Sequence, residues 1–139
     1  MLIRKSEDVE YFESTIIMSM KYYFDELKIG WDHNHFLSMW EKSDNYKIMM
    51  NNKTVGILRT IKTQSLIYIL DLHVEDKYRS KGIATYILKD LENNYSGKIR
   101  LKVFNQNPAS NLYLRSGYEV IKKDLTHLFM EKSLHSVSD

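Results

Sequence analysis

The chain has 139 residues, 43% of them hydrophobic and 27% charged, which is long enough to bury a real core in one domain and too short for two. Its formal charge is only +2, with lysine and arginine scattered among acids; that excludes the basic stripe of a nucleic-acid-binding surface, and no apolar run approaches the roughly 20 residues that span a bilayer. There is no cysteine, so disulfides, thiolate metal sites and a cysteine nucleophile are excluded, and covalent chemistry needs another group or a cofactor.

Residues 1–8 turn acidic at once and lack the apolar stretch and cleavage site of a secretory signal, so a cytoplasmic protein is expected. Residues 2–5 read as a first strand. Ser6 can cap a helix whose apolar residues Val9, Phe12, Ile16, Met20, Phe24 and Leu27 recur every three or four positions and mark one buried face, with Gly30 as its stop. Asp32 is the expected cap of a shorter helix through Phe36, Met39 and Trp40, after which residues 46–50 return to a strand pattern.

Asn51 and Asn52 turn the chain into a strand over residues 54–61. Residues 65–74 are the longest β-like run and are apolar on both faces for most of their length, as a central strand covered on both sides would be. Ala84, Ile87, Leu88 and Leu91 recur at helical spacing, and Ile99, Leu101 and Val103 alternate along a strand over 98–103. Asn107 and Pro108 open a last helix that carries Leu112 and Tyr113 and ends at Gly117. Strands over 118–123 and 126–132 complete a single domain of residues 1–132, with 133–139 as a flexible tail.

The chemistry concentrates where the central strand leaves for its helix, in Leu72-His-Val-Glu-Asp-Lys-Tyr-Arg-Ser-Lys-Gly-Ile-Ala-Thr85. A strand, a basic glycine loop and a helix in that order make a phosphate cradle. The first helical N–H groups lack partners, the macrodipole is positive there, and Gly82 lets a pyrophosphate come close. Arg79 and Lys81 add positive charge. A dinucleotide fingerprint or a P-loop would need further glycines or a Gly-Lys-Ser/Thr run, and neither is present.

A second segment, Val103-Phe-Asn-Gln-Asn-Pro-Ala-Ser-Asn-Leu-Tyr-Leu-Arg-Ser-Gly-Tyr-Glu119, makes the pattern specific. Together the two segments resemble the motifs of the GNAT acetyltransferase superfamily. The Arg/Gln-x-x-Gly-x-Gly/Ala loop is matched by Arg79, Gly82 and Ala84; the later motif is matched by Asn107, Leu112, Tyr113, Gly117 and Tyr118, with Ala109 one residue closer than usual.

The resemblance implies a mixed, mostly antiparallel α+β sheet of six to seven strands, splayed in the middle and flanked by about four helices. It implies acetyl-CoA as acyl donor, held by backbone groups of Leu72, His73 and Val74, by the loop Arg79, Ser80, Lys81, Gly82, Ile83, Ala84 and Thr85, and by Asn107 and Tyr113. Tyr113 would protonate the leaving sulfur, and the missing cysteine fits because the thiol belongs to the cofactor. Backbone N–H groups near His73 or Val74 could hold the oxyanion. Asp71, on the central strand and on the face opposite Leu70 and Leu72, is the candidate base, with His127 a second candidate for proton transfer.

Glu26 and Asp32, flanking Trp31, are alternatives to Asp71 as the base, because the three fall in the region from which such proteins build the acceptor site, within the aromatic segment that includes Tyr22, Tyr23, Phe24, Phe36 and Trp40. His33 and His35 lie on different helix faces, so no metal is expected from them. The expected partners are acetyl-CoA and an amine of a small molecule or peptide, without nucleic acid or membrane; a homodimer is compatible with this reading. The alternative is a catalytically silent acyl-CoA-binding protein of the same fold, against which Tyr113 beside the loop argues.

Overall fold

The computed structural model describes residues 1–134. Seven strands form one open mixed sheet in the order β1-β2-β3-β4-β5-β7-β6. In chain order these are β1 (Leu2–Lys5), α1 (Val9–Leu27), α2 (His33–Trp40), β2 (Asp44–Met50), β3 (Lys53–Lys62), β4 (Leu66–Val74), a short 3-10 turn (Asp76–Tyr78), α3 (Ile83–Asn93), β5 (Gly97–Phe104), α4 (Ala109–Arg115), β6 (Glu119–Lys123) and β7 (His127–Leu134). The strand number, the mixed pairing and the four α-helices agree with expectation. No helix among the described residues is long and apolar enough to cross a membrane.

The chain forms two compact units, Met1–Ile61 with Asp71–Lys81, and Lys62–Leu70 with the residues from Gly82 onward. β4 contributes its first half to the second unit and its last half to the first. In that first half Leu66 to Ile69 pair in parallel with Lys98 to Leu101 of β5.

In the first unit, the α1 cap is Asp8 rather than Ser6. The Asp8 carboxylate accepts from the Tyr11 amide at 3.4 Å and from Lys47 at 3.0 Å, while the Ser6 hydroxyl accepts one step earlier, from the Asp8 amide. Nor does Gly30 stop the helix: Lys28 takes the left-handed cap at φ 54° and its amide donates back to Asp25. Three aromatic and aliphatic residues of α1 and α2, Phe12, Ile16 and Phe36, are buried against Ile57 of β3, with Val9, Tyr11, Met20, Trp31 and Trp40 packed around them. Each such side chain contributes on the order of 1.5–3 kcal/mol of burial.

β2 and β3 make a hairpin through Asn51 and Asn52, both at positive φ (52° and 64°), a conformation asparagine tolerates and one that matches the twist of the strands. The register slips between Ile48 and Met49, so Val55 bulges, and its carbonyl accepts from the amide of Glu75, just past β4.

In the second unit, α3 buries Ile83, Ile87, Leu88 and Leu91, while β5 and β7 contribute Ile99, Leu101, Phe104 and Met130 to the buried set. α4 closes with Gly117 at φ 94° and the Tyr118 amide donating to the Tyr113 carbonyl at 3.0 Å, the closing pattern that left-handed glycine allows. Ser133 and Leu134, expected in the tail, are the last residues of β7, with Leu134 opposite Gly97. The rest of that expected tail, 135–139, lies outside the described residues.

Candidate active site

The loop after β4 leads into α3 through two residues in the left-handed region. Ser80 and Gly82 both take positive φ, 62° and 79°. A Cβ at Gly82 would meet nothing within 4 Å, so conformation rather than crowding selects glycine here. α3 starts at Gly82 with no side chain capping it; the first-turn N–H groups of Ile83, Ala84 and Thr85 are left for another acceptor. Ser80, Lys81 and Gly82 are exposed. Arg79 is anchored through its Nε to the Val74 carbonyl at 3.1 Å and to Asp76 at 3.2 Å. On α1, Tyr23 feels the Arg79 charge, although burial is the larger effect and raises its phenol pKa.

At the end of β4 a row of polar side chains crosses three strands. Arg59 of β3 is only 4% exposed. It donates from Nε to Asn45 Oδ1 at 2.9 Å, from Nη1 to Asp71 Oδ2 at 3.0 Å and from Nη2 to Ser43 Oγ at 3.3 Å. The rings of Phe36 and Trp40 lie 4.9 and 5.8 Å from its guanidinium carbon. A buried cation is tolerated only with its donors satisfied, and the planar guanidinium fork meets three acceptors at once.

The other oxygen of Asp71, Oδ1, lies 3.1 Å from Nε2 of His73. Alternation places Asp71 and His73 on one face of β4 and Leu72 and Val74 on the other. Leu72 and His73 are half-buried and Val74 is buried. Glu75, one residue past the strand, accepts from the Tyr11 hydroxyl at 2.5 Å; burial and that carboxylate push the Tyr11 pKa up.

Among the expected acceptor residues, Glu26 lies exposed on the last turn of α1. The Asp32 carboxylate caps α2, accepting from the His35 amide at 2.9 Å. Trp31 is half-buried between Phe24 and Phe36, at 5.9 and 5.8 Å between ring centroids, and donates its Nε1–H to Glu13 at 2.6 Å. The same Glu13 oxygen meets His33 Nδ1 at 2.5 Å, and these two contacts, His33 first, hold the Glu13 carboxyl below its usual range. Of the aromatic segment, Phe36 is core while Tyr22 is 61% exposed. No group of three or more His, Asp or Glu side chains among the described residues is placed to hold a metal ion.

In the second unit Tyr113 is 5% exposed and packs edge-on against Tyr118 at 5.6 Å. Tyr118 donates to Glu92 at 3.0 Å, and Lys132 donates to Glu92 at 2.8 Å and to the Ser116 carbonyl at 2.7 Å. Burial, then the Glu92 charge, pushes the Tyr118 phenol far above its ordinary value. The Asn107 side-chain oxygen accepts from the Ala109 amide at 2.9 Å and so opens α4. His127 stacks on Phe104 at 4.4 Å; burial, and next the Lys102 charge, lower its pKa, which favours the neutral ring.

The sequence reading missed Arg59, Gly56 and Glu13. Arg59 left one signal, a lone cation inside the apolar strand Val55 to Ile61. Gly56 left none. A Cβ there would run into the His73 carbonyl oxygen and sit 3.1 Å from the Val74 Cα, so β3 can approach β4 closely at that point only through a glycine.

The family model described as "Acetyltransferase (GNAT) domain" matches residues 33–133. No curated protein matches the chain. The chain is similar to the crystal structure of PaiA N-acetyltransferase from Thermoplasma acidophilum in complex with coenzyme A, at 18% identity over 95% of this chain and 98% of that one, with a TM-score of 0.71. A GNAT family acetyltransferase from Elizabethkingia anophelis with acetyl-CoA bound gives 15% identity, 74% and 84% coverage and a TM-score of 0.64. The aminoglycoside 6'-N-acetyltransferase from Enterococcus faecium gives 13% identity, full coverage of both chains and a TM-score of 0.69. At these identities the structural likeness shows the fold alone.

Proposed function

Because the chain belongs to the GNAT acetyltransferase family, we propose that it moves the acetyl group of acetyl-CoA directly to an amine of a small molecule or peptide, as a cytoplasmic enzyme that forms no acyl-protein intermediate. The observation that carries this reading is the uncapped, glycine-led N-terminus of α3 directly after the basic loop, where Ile83, Ala84 and Thr85 offer N–H groups and Arg79 and Lys81 offer charge. Three independent features of that loop favour an anionic ligand: the donors, the positive φ values and the exposure. Ser80 and Gly82 complete the phosphate contacts, with the backbone of Leu72, His73 and Val74 pairing to the pantetheine arm and Asn107 contributing from the start of α4.

Three tasks remain for side chains and backbone. An alkyl ammonium with an ordinary pKa of about 10 must lose a proton before nitrogen can attack. The polar end of β4, Asp71 with its partner His73, supplies that basicity. Backbone N–H groups at His73 and Val74 face the developing oxyanion, and Tyr113 gives a proton to the departing sulfur. Coenzyme A itself supplies the activated thioester. On the acceptor side we assign Trp31 with Glu26 and Asp32, and the aminoglycoside 6'-N-acetyltransferase from Enterococcus faecium among the similar structures makes an aminoglycoside one acceptor worth testing. Homodimerisation remains part of this reading.

Thermal melting with acetyl-CoA, coenzyme A and NAD tests the proposal first. A ligand at 100 times its dissociation constant stabilises the folded chain by about 2.7 kcal/mol; we expect that shift with both coenzyme A forms and none with NAD. Absence of a shift with acetyl-CoA would sink the proposal. Thiol release from acetyl-CoA with a panel of an aminoglycoside, a polyamine and a short peptide then identifies the acceptor class.

A further inference from the structure

Within that acetyltransferase reading, on which this assignment rests, we infer that His73 is the group that takes the proton from the acceptor amine, with Asp71 and Arg59 as positioning residues behind it. Both carboxylate oxygens of Asp71 are occupied, Oδ2 by the Arg59 guanidinium at 3.0 Å and Oδ1 by the His73 ring at 3.1 Å. Each oxygen keeps a second lone pair, so a substrate proton reaching Asp71 would have to share an oxygen with one of these partners or displace it. Arg59 is 4% exposed and is also tied to Asn45 and Ser43, so releasing it would strand a buried cation. The other partner, the imidazole, is 12% exposed and, among the described residues, is not tied into that buried cluster by any further charge.

The direction of the His73–Asp71 bond then decides the chemistry. An ionised carboxylate only accepts, so it fixes the proton on Nε2 and leaves the lone pair on Nδ1. An imidazole is intrinsically a stronger base than a carboxylate and so is the better matched of the two to removing a proton from an amine. Carboxylate, imidazole and acceptor proton form the same relay order that orients a base in other acyl-transfer sites. The β4 main chain at His73 is held too, since Gly56 lets β3 close against its carbonyl.

The charged group in contact with the ring is Asp71 on its own strand; Arg59 of β3 is bound to the other oxygen of that carboxylate, and Glu75, two residues on in the chain, is engaged by Tyr11 of α1. In the reaction the amine nitrogen forms a C–N bond to the acyl carbon and releases its proton to His73 Nδ1. The C–S bond breaks, the thiolate takes the Tyr113 proton, and the imidazolium returns its proton through solvent to the Tyr113 phenolate. The products are an N-acetyl amide and free coenzyme A.

The test uses the whole chain, acetyl-CoA and the amine panel. In wild type, kcat/KM should rise with pH along an ascending limb. His73→Gln should lower kcat about 100-fold or more and erase that limb, while the melting shift with acetyl-CoA stays. Added imidazole should restore part of the rate of His73→Ala. Independent of activity, nitrogen NMR of the wild-type ring should show the tautomer protonated on Nε2. A ring protonated on Nδ1, or a His73→Gln enzyme as fast as wild type with its pH limb intact, overturns the assignment alone. A wild-type chain that neither shifts with acetyl-CoA nor releases thiol overturns the acetyltransferase reading and this assignment with it.

Discussion

Each of the two units carries one buried polar network, and the networks differ in how they end. In the second unit, Glu92 accepts from Tyr118 and Lys132, and Lys132 finishes on the Ser116 carbonyl. That network is closed on main chain and fixes the α4 end beside Tyr113. In the first unit, Arg59 ties Ser43, Asn45 and Asp71 together, and the row ends on the imidazole of His73, a type of group that can exchange a proton. Paired charge in one unit serves architecture; in the proposed mechanism, that of the other leads to chemistry.

Removing the cation of the first network should have the largest effect. Arg59→Met leaves the Asp71 carboxylate without its partner at a site 15% exposed, and breaking such a pair costs about 3–5 kcal/mol. Urea unfolding should show that loss as a lower midpoint at constant m; a loss under about 1 kcal/mol would mean the row is a surface contact in energetic terms.

Tyr113→Phe comes next. It should slow thiol release about 100-fold, equivalent to about 2.7 kcal/mol in the barrier, with the acetyl-CoA melting shift kept. Equal loss of binding and turnover would move Tyr113 to a purely packing role beside Tyr118. Lys132→Met should cost about 1–3 kcal/mol by depriving Glu92 of a donor, yet leave the turnover of the folded protein within a few-fold, read by comparing calorimetric stability with specific thiol release. A large fall in turnover at unchanged stability would contradict the contrast between the two networks.

The smallest effect is expected at Glu131, whose carboxyl pKa is lowered by Arg100 first and then, against a desolvation that raises it, by Lys98. A lowered folded-state pKa contributes stability above the unfolded value of about 4.3 that is lost as pH falls through the folded value. Glu131→Gln should therefore lose about 0.5 kcal/mol at pH 7, as solvent screening limits such pairs, and the gap to wild type should close in acid. A gap that persists below pH 3 would assign the loss to packing instead.

Much of the fold was legible because its signals are local. The α2 cap at Asp32, the Asn51–Asn52 turn, the α3 start at Gly82 and the α4 stop at Gly117 each depend on one residue's φ or one side-chain oxygen. Where two local signals competed, the reading failed. Ser6 and Asp8 both can cap α1, and the geometry that let Asp8 also meet Lys47 across 39 positions of sequence selected it. Lys28 ended α1 ahead of Gly30 in the same way.

What the sequence by itself determined is the order of strands and helices, the basic glycine loop between β4 and α3 and, through two spaced motifs, the family. Tertiary structure alone decided which charges are partners. Arg59 reaches Asp71 twelve residues away and Glu13 reaches His33 twenty away, because strand register and helix packing set those distances, and no period or propensity along the chain encodes them. The placing of Asp71 between Arg59 and His73 is of that kind.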